Sequence, residues 1–198
     1  MAANFHIITG GPGSGKSSLI AGLAARSLRT MPEAGRAIIQ DQVSIGGKAL
    51  PWADREMFAE LMLSWEMRSY REAGTSSAAV IFDRGIPDVI GYLRLCGLPV
   101  PDATLRAAEQ QRYAQRVFLA PHWPEIFAQD AERKQTPEEA EATCRVMIEV
   151  YADLGYDLVE LPHAPVAERV DFVLSHIAWR PDRHPAKKAA PPALLITR

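Results

Sequence analysis

The sequence predicts an α/β fold of three layers, in which a central parallel sheet of about five strands carries helices on both faces. Short apolar runs of strand length alternate with longer segments of helical periodicity, a pattern typical of parallel sheets with helical crossovers. The run 78–82 (AAVIF) is apolar at every position, as expected for a strand buried on both faces. The run 5–9 leads directly into a glycine-rich loop and a helix, which places that loop at the carboxyl edge of the sheet.

The first half of the chain divides into three strands and three helices. We predict strands at 5–9, 29–31 and 78–82, and helices at 17–28, within 33–45 and from 54 to about 73. The third helix follows Asp54, a residue type that caps helix N-termini, and Gly74 terminates it. Its buried face is predicted to contain Phe58, Leu61, Met62 and Trp65.

The second half adds two strands and four helices. We predict strands at 116–120 and 157–161, and helices at 87–96, 102–113, 137–154 and 166–177. Residues 136–139 read Thr-Pro-Glu-Glu, a capping box with proline in the first turn. The segment before it, from about 121, is irregular. Residues 179–198 are rich in Pro and Ala and are predicted to form a flexible C-terminal tail.

Composition excludes several classes of partner. With 198 residues, 47% of them apolar, the chain is long enough for one α/β domain with a sizeable core. Its net charge of −2 gives no general attraction to nucleic acid, and no apolar run approaches the ~18 residues of a membrane span. We therefore expect neither nucleic acid nor a membrane as a partner. Cys96 and Cys144 have no metal-ligand spacing, and their free thiols favour a cytoplasmic location.

The glycine-rich loop carries the most specific motif of the sequence. Residues 10–17 read GGPGSGKS and match G-x-x-x-x-G-K-[ST], the phosphate-binding P-loop, so the fold class is that of the P-loop NTPases. The loop amides and the following helix N-terminus would bind the phosphates of ATP, Lys16 would reach the β- and γ-phosphates, and Ser17 would ligate Mg²⁺. The predicted ATP-binding residues are Gly10, Gly11, Pro12, Gly13, Ser14, Gly15, Lys16, Ser17 and Ser18.

Asp83 follows a buried strand that is predicted to neighbour the P-loop strand. A carboxylate there can hold Mg²⁺ or accept a proton from a substrate hydroxyl, and the alternative is a helix N-cap. Because Arg84 follows it, the acidic pair of a mechanical ATPase is missing. The sequence has a single asparagine, Asn4, which lies before the first strand and so excludes the guanine-reading Asn-Lys-x-Asp motif. The small-molecule kinases remain.

Four segments carry a family resemblance: the P-loop, 32–36 (PEAGR), 82–85 (FDRG) and 130–134 (DAERK). Over roughly residues 5–178 the chain resembles P-loop nucleoside and nucleotide kinases. It resembles more closely the small bacterial AAA-family ATPase proteins whose relatives include the ribosylnicotinamide kinase domain. The resemblance implies a P-loop kinase-like domain over 1–178 with a lid at about 121–136.

The resemblance also implies roles for individual residues. Glu33 matches a glutamate that activates the acceptor hydroxyl, so Glu33 and Asp83 would act as base and metal ligand, in an order that the sequence leaves open. The alternative for Glu33 is a solvated turn residue. Arg84 resembles an arginine that contacts phosphate or substrate, and its alternative is a surface ion pair. Arg133 would stabilise charge on the transferring phosphoryl group, although the lid has one arginine instead of two.

Four further residues are predicted to contact the acceptor. Arg36 lies one helical turn after Glu33 and could clamp an anionic group or fix Glu33 by an ion pair. Trp52 and Tyr92 could stack on a ring, and Arg55 could bind an anion.

Together these residues predict an ATP- and Mg²⁺-dependent kinase of a small hydroxylated metabolite, such as a nucleoside or a ribosylated nicotinamide. Two other functions stay open at this stage, because a fold does not fix a function. One is an ATPase coupled to another process, and the other is a binding module that senses ATP without turnover. Exposed helix faces would also allow a homodimer.

Overall fold

The computed structural model describes residues 4–74, 76–126 and 136–177. The predicted tail at 179–198 and most of the predicted lid, including Arg133, lie outside the described residues.

Strands and helices alternate along the described chain. The elements are β1 (Phe5–Gly10), α1 (Lys16–Ala25), β2 (Arg29–Met31), α2 (Ala34–Ile45), α3 (Arg55–Ala73), β3 (Val80–Asp83), α4 (Ile86–Leu95), α5 (Asp102–Gln110), β4 (Arg116–Ala120), α6 (Pro137–Asp153), β5 (Asp157–Glu160) and α7 (Val166–His176). The strands form one sheet in the order β2-β3-β1-β4-β5, and every pair is parallel. The predicted fold class is confirmed.

Alternation of side chains along the strands divides the core between the two faces of the sheet. Ile7 and Phe82 point to the face covered by α3, α4, α5 and α6. Ile8, Ile81 and Phe118 point to the face covered by α1 and α7. Because successive side chains of a strand alternate, both faces of the central strands bury apolar side chains, which accounts for the continuous apolar runs of the sequence.

Helix α3 begins and ends where the sequence predicts, but its predicted buried face is partly wrong. The Asp54 carboxylate accepts a hydrogen bond from the Met57 amide at 2.9 Å, as a helix cap does. Leu61 is 36% exposed, whereas Leu63 and Glu66 are buried. The reason is that α3 packs against both α2 and α4, so its inward side is wider than one stripe.

The predicted helix at 102–113 is also shorter in the structure, ending at Gln110. Tyr113 lies fully buried on the face of the sheet, and the Ala114 amide donates to the Phe5 carbonyl at 2.8 Å. The helix therefore ends early because these contacts fix the chain that leads into β4 beside β1.

The capping box at Thr136 is confirmed. The Thr136 side chain accepts a hydrogen bond from the Glu139 amide, and the Glu139 side chain accepts one from the Thr136 amide.

Cys96 and Cys144 are both free thiols. Among the helices that the structure describes, none combines the length and the apolar character that crossing a membrane requires.

A buried histidine in β1 makes folding stability depend on pH. His6 is 8% exposed, and its Nδ1 atom has no hydrogen-bond partner among the described residues. Burial, assisted by the nearby Arg116 charge, lowers the pKa of His6 to about 4. The unfolded chain therefore binds a proton at higher pH than the folded protein, and stability is lost as pH falls from about 6.5 towards 4.

We expect His6→Phe to reduce this pH dependence. The free energy of unfolding from urea titrations should fall between pH 7 and pH 5 by about 2 kcal/mol more in the wild type than in the variant. Comparing the change with pH, instead of the stabilities themselves, removes the packing cost of the substitution. Equal losses in the two proteins would contradict a buried neutral histidine.

Candidate active site

The P-loop connects the carboxyl end of β1 to the first turn of α1. Gly10, Gly13 and Gly15 have φ angles of 131°, 72° and 74°, in the region that favours glycine. A side chain at Gly10 would also collide with the carbonyl oxygen of Ala120 in β4. The loop conformation therefore needs glycine both for its backbone angles and for its contact with the neighbouring strand.

Lys16 is folded back over the loop that precedes it. Its Nζ atom donates to the Gly10 carbonyl and to the Ser14 hydroxyl, each at 3.1 Å, and also to the Gly11 carbonyl. The Ser14 hydroxyl in turn donates to the Gly11 carbonyl at 2.8 Å. These contacts hold the ammonium group at the centre of the loop.

A buried arginine from α7, which the sequence analysis missed, supports the loop from behind. The Arg169 guanidinium donates to the Ser14 carbonyl at 3.2 Å and lies 5.8 Å from the ring centre of Trp123. Burial lowers the pKa of Arg169. No local motif marks this residue, because its contact joins positions that are 155 residues apart.

Asp83 ends β3 opposite Ile8 of β1 and is 8% exposed. The alternative role as the N-cap of α4 is wrong, because the cap residue is Gly85. The Gly85 amide donates instead to Asp88, at 3.0 Å. Asp83 therefore lies at the carboxyl edge of the sheet without serving the helix.

Arg84 forms a half-buried ion-pair bridge and not the surface ion pair of the alternative reading. Its guanidinium contacts Glu33 at 3.2 Å and Asp88 at 3.0 Å. Burial alone would lower the pKa of Arg84, but Glu33, Asp88 and Asp83 together raise it above its ordinary value. Arg84 also has a φ of 74°, a left-handed conformation that is strained for a non-glycine residue. The two ion pairs help to fix this backbone.

Asp88, which the sequence analysis also missed, accepts four hydrogen bonds. The Thr9 and Tyr151 hydroxyls each donate to it at 2.6 Å, and the Gly85 amide and Arg84 each donate at 3.0 Å. The signal in the sequence is its position three residues after the helix cap and four after Arg84. Asp88 thereby ties β1, α4 and α6 to the arginine that holds Glu33.

A cavity of about 380 Å³ opens beside this bridge. Its wall is made of apolar and aromatic side chains around a small charged group. The lining residues are Pro12, Glu33, Ala34, Gly35, Ile39, Pro51, Trp52, Phe58, Met62, Glu66, Arg84, Gly85, Asp88, Val89, Tyr92, Leu95, Glu139, Thr143 and Met147. A cleft of this size and composition is typical of small-molecule sites.

The structure brings five of the predicted residues to this wall. The lining includes Pro12 of the P-loop, together with Glu33, Arg84, Trp52 and Tyr92. The side chain of Glu33 is only 13% exposed, so the reading of Glu33 as a solvated turn residue is wrong. Tyr92 packs edge-on against Phe58, with ring centres 5.3 Å apart.

The other predicted acceptor contacts lie outside the wall. Of the described residues, Arg36 and Arg55 are not among those that line the cavity. Arg55 is exposed and donates to the carbonyl of the lining residue Pro51 at 3.1 Å. Trp52 itself is 62% exposed and forms part of the rim.

Glu66 is the third residue that the sequence analysis missed. It lies in the middle of α3, is 3% exposed and lines the cavity. Burial, together with the charges of Asp88, Asp83 and Glu33, raises the pKa of Glu66 well above its usual range, with Arg84 opposing. The signal in the sequence is a glutamate on the inward side of an apolar helix.

The residues predicted to bind Mg²⁺ provide oxygen ligands of the kind that Mg²⁺ prefers. Ser17 is exposed in the first turn of α1, and Asp83 ends β3, the strand paired with β1. The described residues contain no group of three or more His, Cys, Asp or Glu side chains that could hold a metal by themselves. Mg²⁺ commonly takes one or two protein oxygens and completes its shell with water and phosphate oxygens.

A P-loop between β1 and α1, at the carboxyl edge of a parallel sheet of this order, defines a P-loop NTPase of kinase-like fold. The family model described as an AAA domain matches residues 5–169, and the chain belongs to this family. No curated protein matches the sequence.

Solved structures with the same fold are distant in sequence. Deoxyadenosine kinase from M. mycoides, with dCMP and dCDP bound, matches with a TM-score of 0.63 and 14% identity over 87% of this chain and 97% of that chain. The NadR protein in complex with NR matches with a TM-score of 0.65 and 16% identity over 92% of this chain and 53% of that chain. A second NadR structure contains NAD and AMP-PNP and has a TM-score of 0.64 at 14% identity, over 92% of this chain and 52% of that chain.

Proposed function

We propose that this protein is a kinase that transfers the γ-phosphoryl group of Mg-ATP to a hydroxyl of a small, nucleoside-like acceptor. The observation that carries the proposal is the cavity beside the P-loop, which has both an apolar wall and a half-buried Glu33–Arg84 pair. An enzyme that only hydrolyses ATP needs a water molecule as its acceptor and has no use for an apolar pocket of this size. One structural neighbour is named a deoxyadenosine kinase and another is in complex with NR, and both names are consistent with such an acceptor.

The phosphates of ATP would bind to the P-loop amides and to Lys16. Lys16 already lies at the centre of the loop, held by carbonyl oxygens that a phosphate could replace. Mg²⁺ would bind to Ser17 and Asp83, and it would supply positive charge to the bridging phosphate oxygens. Arg133 lies outside the described residues. Its proposed role, to stabilise negative charge on the transferring phosphoryl group, comes from the sequence.

Glu33 is proposed as the base and Asp83 as the metal ligand. Of these two carboxylates, Glu33 lines the cavity that would hold the acceptor, whereas Asp83 is not among the lining residues described. A base must lie within hydrogen-bond reach of the hydroxyl that it activates. The ion pair with Arg84 fixes the position of the Glu33 carboxylate on the cavity wall.

The test is ADP release from Mg-ATP across a panel of nucleosides, nicotinamide riboside, nucleoside monophosphates and aminoglycosides, with Asp83→Asn as the blank. The expected result is release that depends on one class of acceptor and is lost in the blank. ADP release that does not depend on any acceptor would contradict the proposal. It would favour an enzyme that hydrolyses ATP, whether or not the hydrolysis is coupled to another process. ATP binding with no release would favour an ATP sensor.

A further inference from the structure

The cavity contains a buried carboxyl group to which the proposed phosphoryl transfer assigns no part. Glu66 lies in the middle of α3 and is only 3% exposed. Among the described residues no side chain or amide donates a hydrogen bond to it, and it forms no ion pair. It is nevertheless one of the residues that line the cavity. A buried carboxyl without a partner costs free energy, so its presence on a ligand-sized cavity indicates a partner in the ligand.

The surroundings of Glu66 are rich in negative charge. Three carboxylates act on Glu66: Asp83 at the end of β3, Asp88 in the first turn of α4, and Glu33 at the start of α2. Arg84 is the cation that acts on it. Arg84 is already committed to Glu33 and Asp88, through contacts at 3.2 and 3.0 Å. The buried hydroxyl of Tyr113 adds no compensating charge.

These conditions favour the uncharged carboxylic acid form of Glu66 over the carboxylate. Burial and three neighbouring carboxylates all disfavour its ionised form and raise its pKa. A carboxylic acid offers one O–H donor and one carbonyl acceptor side by side. That pair matches an amide-like edge on a ring, in which an acceptor atom and an N–H group are adjacent.

We propose that Glu66 recognises the acceptor by pairing with an amide-like edge of its ring, and that the cavity selects acceptors without a phosphate group. This inference rests on the proposed function and names the substrate class within it. The apolar wall, with Phe58, Met62 and Tyr92, would hold the faces of the ring. Phosphate is disfavoured because the described wall carries the carboxylates of Glu33, Asp88 and Glu139 against one cation, Arg84.

The test uses the full-length protein with whichever of adenosine, guanosine, cytidine and nicotinamide riboside gives the fastest ADP release. Glu66→Gln keeps a donor and an acceptor in place, so its KM for that nucleoside should stay within about threefold of wild type. Glu66→Leu keeps the volume but removes both, so its KM should rise about 10- to 100-fold while kcat changes little. Ser69→Ala is the matched control, because Ser69 is a buried polar residue of α3 outside the lining described.

Melting temperature separates recognition from a structural role. Glu66→Leu should melt no lower than wild type, since it removes a buried polar group that has no described partner. The proposal would be overturned if Glu66→Leu had a lower melting temperature together with a lower kcat and a higher KM. It would also be overturned if Glu66→Leu left KM unchanged. Equal damage in Glu66→Gln and Glu66→Leu would also overturn it, because the negative charge would then be what binds.

The phosphate part of the inference has its own readout. Each nucleoside is compared with its 5′-monophosphate, and the monophosphate is expected to give no acceptor-dependent ADP release. Preference for the monophosphate would overturn the inference while leaving the protein a kinase. A rate of ADP release that no acceptor changes would instead overturn the proposed function, and this inference with it.

Discussion

Lys16→Ala is expected to lower kcat/KM for ATP-dependent phosphoryl transfer by about 10²- to 10³-fold, the usual effect of losing one preorganised donor to developing charge. The ammonium group lies at the centre of the P-loop, held by the Gly10 and Gly11 carbonyls and by the Ser14 hydroxyl. It is therefore positioned to meet the charge that develops on the transferring phosphoryl group. The measurement is steady-state ADP release with a saturating acceptor from the panel above.

Two controls separate this effect from a general loss of charge or of folding. Lys48→Ala removes the same charge from an exposed position and should leave kcat/KM within about twofold of wild type. The melting temperature of the Lys16 variant should stay close to that of wild type, because the hydrogen bonds from Lys16 to Gly10, Gly11 and Ser14 all lie within one loop. Full activity in Lys16→Ala would contradict the assignment of the loop as the phosphate site.

Asp88→Asn is expected to destabilise the protein by about 3–5 kcal/mol, the usual cost of breaking a buried charge pair. All four described partners of Asp88, from Thr9, Arg84, Gly85 and Tyr151, donate hydrogen bonds. A carboxylate accepts from all of them, whereas the NH₂ group of asparagine would face donors and leave Arg84 without one of its two carboxylates. The measurement is the free energy of unfolding from urea titration.

The matched control is Asp153→Asn, which breaks an exposed ion pair with Arg94 and should cost less than about 1 kcal/mol. The Asp88 variant should also lose acceptor turnover, because Arg84 would no longer be fixed against Glu33. A loss of stability below about 1 kcal/mol in Asp88→Asn would show that the network around it is not a structural bridge.

The sequence alone was sufficient where the information is local. The P-loop, the alternation of strands and helices, the capping box at Thr136 and the Asp54 cap all depend on residues that are neighbours along the chain. Glu33 and Arg84 were found by resemblance in short segments, and the structure brings them into contact at 3.2 Å. The extent of β3, predicted at 78–82 and found at Val80–Asp83, differs only at its ends.

The buried face of α3 shows why the rest could not be predicted. Periodicity identifies one stripe of a helix, but α3 contacts two neighbouring helices, so a second set of positions that includes Leu63 and Glu66 is also buried. Side-chain direction on a helix depends on packing partners that sequence spacing does not reveal.

What the sequence by itself determined was the class of the protein: a parallel α/β sheet, a phosphate-binding loop and two acidic residues at the ends of neighbouring strands. Each of these depends on short segments in which local geometry and chemistry agree. Only the tertiary structure decided the shape and charge of the cavity beside the Glu33–Arg84 pair. Asp88 and Arg169 make contacts between elements that lie far apart in the chain, and Glu66 lines a cavity that several such elements form. These arrangements exist only once the sheet has brought the elements together.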